Sequence, residues 1–175
     1  ELAHVQFDAG EFGSCLKTLA RLDNLRKTTG IESLRLKARC LTHLDRPEEA
    51  RDTFVELTRK SPEDIDGWVE LAAVAFSADD WRRVADSSSR IVTLAPYRYE
   101  GYLFRGAVEQ RRGNSVSAER LFRRAAQLAP EEPLPHLMLG KLLEEQGDRV
   151  AAADAFAAAE SAQIANTAMA GVGDG

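Results

Sequence analysis

The chain is short of most residues that carry chemistry. It has two cysteines, Cys15 and Cys40, too few for a disulfide framework and not in a C-x-x-C spacing. Two small, buried, reduced side chains are the expectation. Its three histidines, His4, His43 and His136, have no cysteine or carboxylate at ligand spacing, so no metal site is expected. There is no G-x-G-x-x-G, no phosphate loop and no nucleophile elbow, and no cofactor is implied. An excess of basic residues is also lacking: 23 Lys and Arg stand against 28 Asp and Glu, for a net charge of −5. A nucleic-acid binder needs the opposite balance, because it must neutralise phosphates. No apolar run of about 18 residues is present, so nothing is expected to insert in a membrane. The opening ELAHVQFDAG lacks an initiator Met and the layout of a signal peptide. It reads as the cut edge of a longer protein, which leaves the compartment open.

What is present is a period. Pro62, Pro96 and Pro130 lie 34 residues apart, as do Trp68, Tyr102 and His136. Gly106 repeats at Gly140, and Gly113 at Gly147. Ala50, Ala118 and Ala152 each precede a phenylalanine (Phe54, Phe122, Phe156) by four. With 44% hydrophobic and 29% charged residues, the chain is composed like a globular protein. Within one period, Trp68, Leu71, Ala72 and Ala75 share a helical face. A turn follows at 77–81, and a second helix over 82–94 ends before Pro96. Pro47 suits the first position of a helix. Ala38, Ala72, Gly106 and Gly140 are small enough to let paired helices approach, and the phenylalanines fill the remaining space. Ser88 takes the phenylalanine slot in one repeat and reads as a smaller packing residue, not a nucleophile. Acidic pairs such as Glu48–Glu49 open helices, where carboxylates favour the positive dipole end. None of this points to catalysis.

These marks resemble the tetratricopeptide repeat, whose 34-residue pattern is W-x2-L-G-x2-Y, then A-x3-F, then P. The resemblance predicts an all-α, right-handed α-solenoid of stacked helix-turn-helix repeats, with a partial repeat at 1–29 and full ones at 31–64, 65–98, 99–132 and 133–166. On this reading, residues 1–166 form a single solenoid and 167–175 a flexible tail. The last helix is rich in alanine and lacks a polar capping face. More chain beyond it, or pairing with another copy into a homo-oligomer, would cover that face.

The resemblance also implies that a peptide or protein segment binds along a concave groove. The groove-facing positions are the second, fifth, ninth, twelfth and thirteenth of each repeat. They include Arg35, Arg39 and His43, a basic strip; Val69, Ala73 and Phe76, mainly apolar; Leu103, Gln110 and Arg111; and Leu137 and Lys141. Val69, Phe76, Leu103 and Leu137 are not buried by the repeat logic itself, and exposed apolar patches mark interaction sites. They either take a docked segment, with its acidic part toward Arg35 and Arg39, or line a curved wall or contact a further flanking helix. The asparagine of the family's chaperone-tail clamp is missing, which argues against that ligand. Two departures stand out: Lys37 and Arg105 occupy the seventh position, where an apolar residue is due. Arg105 is expected either to pair with Glu109 one turn on or to reach water along its aliphatic stem. The function implied is a non-catalytic interaction scaffold. The alternatives are a recruiting domain of a larger enzyme, such as a glycosyl- or sulfotransferase, or a self-associating assembly protein.

Overall fold

The computed structural model describes residues 1–26 and 30–172. Among the described residues there are ten α-helices and no strand. These are α1 (Leu2–Asp8), α2 (Phe12–Arg26), α3 (Ile31–His43), α4 (Pro47–Lys60), α5 (Ile65–Ser77), α6 (Trp81–Leu94), α7 (Tyr99–Arg111), α8 (Ser115–Leu128), α9 (Pro133–Glu145) and α10 (Arg149–Val172). The helices α3, α5, α7 and α9 begin 34 residues apart, and so do α4, α6, α8 and α10. The chain divides into two compact units, Glu1–Ser87 and Ser88–Gly175.

The first unit packs α1 on α2 and α3, then each helix from α2 to α4 on the next. Its core joins Leu34 and Leu41 of α3, Phe54 and Leu57 of α4, and Leu71 and Val74 of α5. A satellite cluster gathers Ala3, Leu19 and Leu36 around Cys15 and Cys40. Both thiols are free and buried. Burial, with a hydrogen bond to Cys15, pushes the Cys40 thiol up to about 12. The second unit stacks α7, α8, α9 and α10 in order.

The residue types explain the joints. Asp45 and Asp79 adopt φ of 55°, where the later repeats use Gly113 at 80° and Gly147 at 86°. Aspartate tolerates this left-handed conformation better than most residues. A Cβ at Gly106 would lie 2.6 Å from the Phe122 ring, and one at Gly140 the same distance from Phe156. Glycine there permits the close approach of α7 to α8 and of α9 to α10. The tryptophan slot is locked by one recurring hydrogen bond. Trp68 Nε1 donates to the Pro62 carbonyl at 2.9 Å, and Tyr102 OH donates to Pro96 at 3.0 Å. His136 Nε2 sits 3.1 Å from the Pro130 carbonyl. Each polar side-chain group thus satisfies a backbone carbonyl of the turn between repeats, two residues past the helix end. Ser88 is fully buried, as a packing residue should be.

Two expectations change. Residues 167–172, assigned from sequence to a tail, continue α10, and 173–175 lie outside the described residues. Thr167 donates to Gln163 and Asn166 Nδ2 to the Glu131 carbonyl, so the helix has local support where the repeat pattern ends. Leu103 is core, not groove wall, at 5% exposure. It shares a helical face with the buried Gly106 and Ala107, three and four residues on, so the close approach those small residues permit covers it too.

Candidate interaction surface

In the first unit, α3 places Arg35, Arg39 and His43 four residues apart on one face. The strip is basic by composition but not by availability. Arg35 hydrogen-bonds Asp64 and lies 3.6 Å from Glu70, while Arg39 Nε is 3.4 Å from Glu70 Oε1. Asp64 is also the N-cap of α5, its Oδ1 accepting from the Gly67 amide at 3.1 Å. Burial pushes the Glu70 carboxyl above its ordinary value, against the pull of Arg39 and Arg35. Two aromatics of the first repeat complete this face. The Arg39 guanidinium lies 5.2 Å from the centre of the Phe7 ring. The His43 ring stacks on Phe12 at 4.4 Å with 3° between planes. The sequence reading did not include Phe7 or Phe12, since the opening repeat lacks the aromatic marks that set the register elsewhere.

Two neighbouring hollows open between α3 and α5. One, of about 160 Å³, is lined by Arg39, Thr42, His43, Glu70, Ala73 and Val74, with Phe54 beneath. The other, of about 240 Å³, has Thr42, Ala73, Val74 and Ser77 with Asp45 and Pro47. The structure therefore brings Arg39, His43 and Ala73 together around one hollow. Val69 is half-buried beside them. Phe76 keeps 36% exposure and meets Trp81 edge-on at 5.3 Å.

In the second unit, Gln110 donates to Glu145 at 3.0 Å, tying α7 to α9. Arg111 and Lys141 are exposed and Leu137 is half-buried. Arg105 points to solvent, so of the two expectations for it the second holds. Glu109 bonds the turn instead: Asn114 Nδ2 donates to it at 2.7 Å and Arg112 at 2.9 Å. These contacts hold its carboxyl below the ordinary value, with the Asn114 bond the largest cause. Around Arg105 lies a cavity of about 890 Å³ between α7 and α8, rimmed by Arg120, Arg123 and Arg124 and floored by Tyr102 and Leu121. Sequence reasoning missed it by treating the seventh position as core. The signal was there: Arg120, Arg123 and Arg124 share one face of α8 by their three- and four-residue spacing.

Among the described residues, no group of three or more His, Cys, Asp or Glu could hold a metal ion, and no helix is long and apolar enough to cross a membrane. No family model matches the chain. Among curated proteins it is 29% identical over 148 residues to cellulose synthase 2 operon protein C of Komagataeibacter xylinus. That match covers 83% of this chain but only 11% of the relative. Among solved structures, MamA 41-end from Desulfovibrio magneticus RS-1 superposes with a TM-score of 0.81 at 18% identity, covering 94% of this chain and 92% of that one. YrrB, described as a TPR protein with an unusual peptide-binding site, gives 0.73 at 17% identity, covering 92% and 82%. The fold is the tetratricopeptide-repeat solenoid. Within that fold, the α3–α5 face of the first unit and the arginine-lined cavity of the second each have a distinct chemical character.

Proposed function

We propose that this tetratricopeptide array is a non-catalytic interaction scaffold that takes a peptide or protein segment on the α3–α5 face of its first unit. The observation that carries the reading is the pair of adjoining hollows sharing Thr42, Ala73 and Val74. Their walls suit an extended segment. Thr42 and Ser77, whose hydroxyls donate to the Ala38 and Ala73 carbonyls, offer acceptor oxygens, His43 offers a ring edge, and Ala73 leaves room for a side chain. Because Arg35 and Arg39 are already paired, recognition here is by shape and apolar contact more than by charge. Val69 and Phe76 extend the same face; within the second unit, Gln110, Arg111, Leu137 and Lys141 hold the corresponding repeat positions. YrrB, a TPR protein with a peptide-binding site, supports this class of function without identifying the ligand.

The test is affinity capture from the native organism with the wild-type chain and an Ala73→Glu variant, read by mass spectrometry. Ala73 is exposed, so glutamate fills both hollows without disturbing the core. Partners held by the wild type and lost by the variant, at equal helix content, are the expected result. An unchanged partner set would refute the site.

A second reading rests on the relative named for a cellulose synthase operon, of which this chain matches a small part. In that reading the array recruits partners for a larger polysaccharide-synthesising system. Co-purification of the full-length gene product with a glycosyltransferase would favour it. Light scattering of the isolated chain checks the remaining alternative, self-association.

A further inference from the structure

We propose that the arginine-lined cavity of the second unit docks a short acidic peptide segment of a partner protein. The lining holds four arginines, Arg105, Arg120, Arg123 and Arg124, against two glutamates, Glu109 and Glu119. Both glutamates are engaged: Glu109 by Asn114 and Arg112, and Glu119 by Arg123 at 3.0 Å. Arg124 sits over the Tyr102 ring at 5.8 Å. Arg105 and Arg120 have no ion pair or hydrogen bond among the described residues, and both are exposed. Of the influences on the Glu109 carboxyl, Arg105 is the smallest. Two guanidinium groups are therefore left on a cavity wall, in a chain whose net charge is −5.

The seventh position departs from leucine in two of the four full repeats, at Lys37 and Arg105, both exposed, and at Arg105 the cation is part of a cavity lining. Leu71 and Leu139, at the equivalent position of α5 and α9, are buried at 3% and 6% exposure. Arg105 is exposed and lines a cavity that leucine would tend to close. The volume, about 890 Å³, is in the upper range for ligand pockets. A single anion would leave most of it empty. The floor and rim add Tyr102, Leu121 and Val116, the last 84% exposed, so the surface is basic and apolar together. That mixture matches a segment carrying two carboxylates beside an apolar side chain. Guanidinium groups take carboxylates through paired, charge-assisted hydrogen bonds. A nucleic-acid strand fits less well, because the acidic remainder of the chain repels a long polyanion.

The experiment uses the whole chain and a fluorescent eight-residue probe alternating glutamate and leucine, with binding read by anisotropy. A probe with glutamine for every glutamate is the charge control. The wild type is expected to bind the acidic probe at least about tenfold more tightly than the control, and to lose about tenfold in affinity between low and high salt. Arg105→Glu with Arg120→Glu is expected to weaken binding about 30-fold or more, with helix content unchanged. If that variant does not fold, Arg105→Leu with Arg120→Gln serves, with an expected loss of about tenfold. Equal binding of both probes, or no loss in the variants, overturns the proposal. So does tighter binding of a single-stranded oligonucleotide than of the peptide. A dimer of the wild type that the charge reversals dissociate, without any peptide affinity, would assign the cavity to self-association instead. Ala73→Glu is expected to leave probe binding intact, which separates this site from the α3–α5 face.

Discussion

Two pairs of arginines, one in each unit, show how little a charge in the sequence says about its use. Arg35 and Arg39 sit on α3 at positions that face a groove in the fold family, yet Asp64 and Glu70 neutralise them. Arg105 was due to be core, yet it lines an open cavity with Arg120. The difference lies in what the neighbouring segments contribute. The turn into α5 and its second helical turn bring carboxylates to α3. The two carboxylates near Arg105 are taken by Arg112, Asn114 and Arg123. A pair built into the packing stabilises the unit, whereas a pair left over is available to a partner.

The sharpest way to break this contrast is at Asp64. Its side chain is 11% exposed, bonds Arg35 and caps α5, so Asp64→Ala removes a cap and a partly buried ion pair together. The expected loss is about 2–3 kcal/mol, read from urea midpoints, about 1 from the cap and the rest from the loss of the nearer of the two carboxylates that pair with Arg35. Asp64→Asn keeps a capping oxygen and loses the charge, and is expected to cost about half as much. No loss for Asp64→Asn would mean that the ion pair contributes nothing and that Arg35 is as free as Arg105.

Next in size is a pair of opposite pH effects. The folded value of Glu109 lies below 4.5, so its contribution is full above that pH and is lost as acid titrates the folded carboxylate. Glu109→Gln is expected to cost about 0.5 kcal/mol at pH 7 and nothing well below pH 4. Glu70 runs the other way, because its folded value lies above 4.5. Its ionisation opposes folding, and stability from this group rises as pH falls through the folded value. Glu70→Gln is therefore expected to leave stability at pH 7 unchanged or higher by up to about 0.5 kcal/mol, despite two nearby arginines. Denaturation curves at both pH values for both variants decide it. A clear loss for Glu70→Gln at pH 7 would show that coulombic attraction outweighs burial there.

Much of the fold was legible because its marks are local. Proline stops a helix by its own chemistry, Gly106 and Gly140 reserve space for a ring, and a tryptophan slot six residues after a proline finds that proline's carbonyl. Asp45 and Asp79 in the glycine turn slots were harder to read, since aspartate enters the left-handed region less often than glycine. The site was less legible because it depends on partners one repeat away. Nothing in the strip from Arg35 to His43 says that Asp64 will reach it, or that Phe7 and Phe12 will cover its edge. Leu103 was misplaced for a similar reason: position in the repeat suggested a wall, while its neighbours Gly106 and Ala107 drew the packing over it. The arginine cavity was hidden by the family pattern itself, which expects leucine at 105.

That leucine supplies the smallest effect and the finest test of the comparison. Arg105→Leu restores the residue type that Leu71 and Leu139 hold in neighbouring repeats. Because Arg105 is exposed, the change removes only a weak attraction to Glu109 and adds an apolar side chain at a cavity wall. Thermal unfolding is expected to shift by less than about 0.5 kcal/mol in either direction, the range of surface substitutions away from special features. Arg35→Leu, by contrast, takes the ion-pair partner from Asp64 and leaves Glu70 with Arg39 alone, and is expected to cost about 1–2 kcal/mol, discounted because the arginine is 23% exposed. A gain well above 1 kcal/mol for Arg105→Leu would mean that the position faces an apolar neighbour able to close over it. In that case the cavity is a packing fault and not a surface kept open for a ligand.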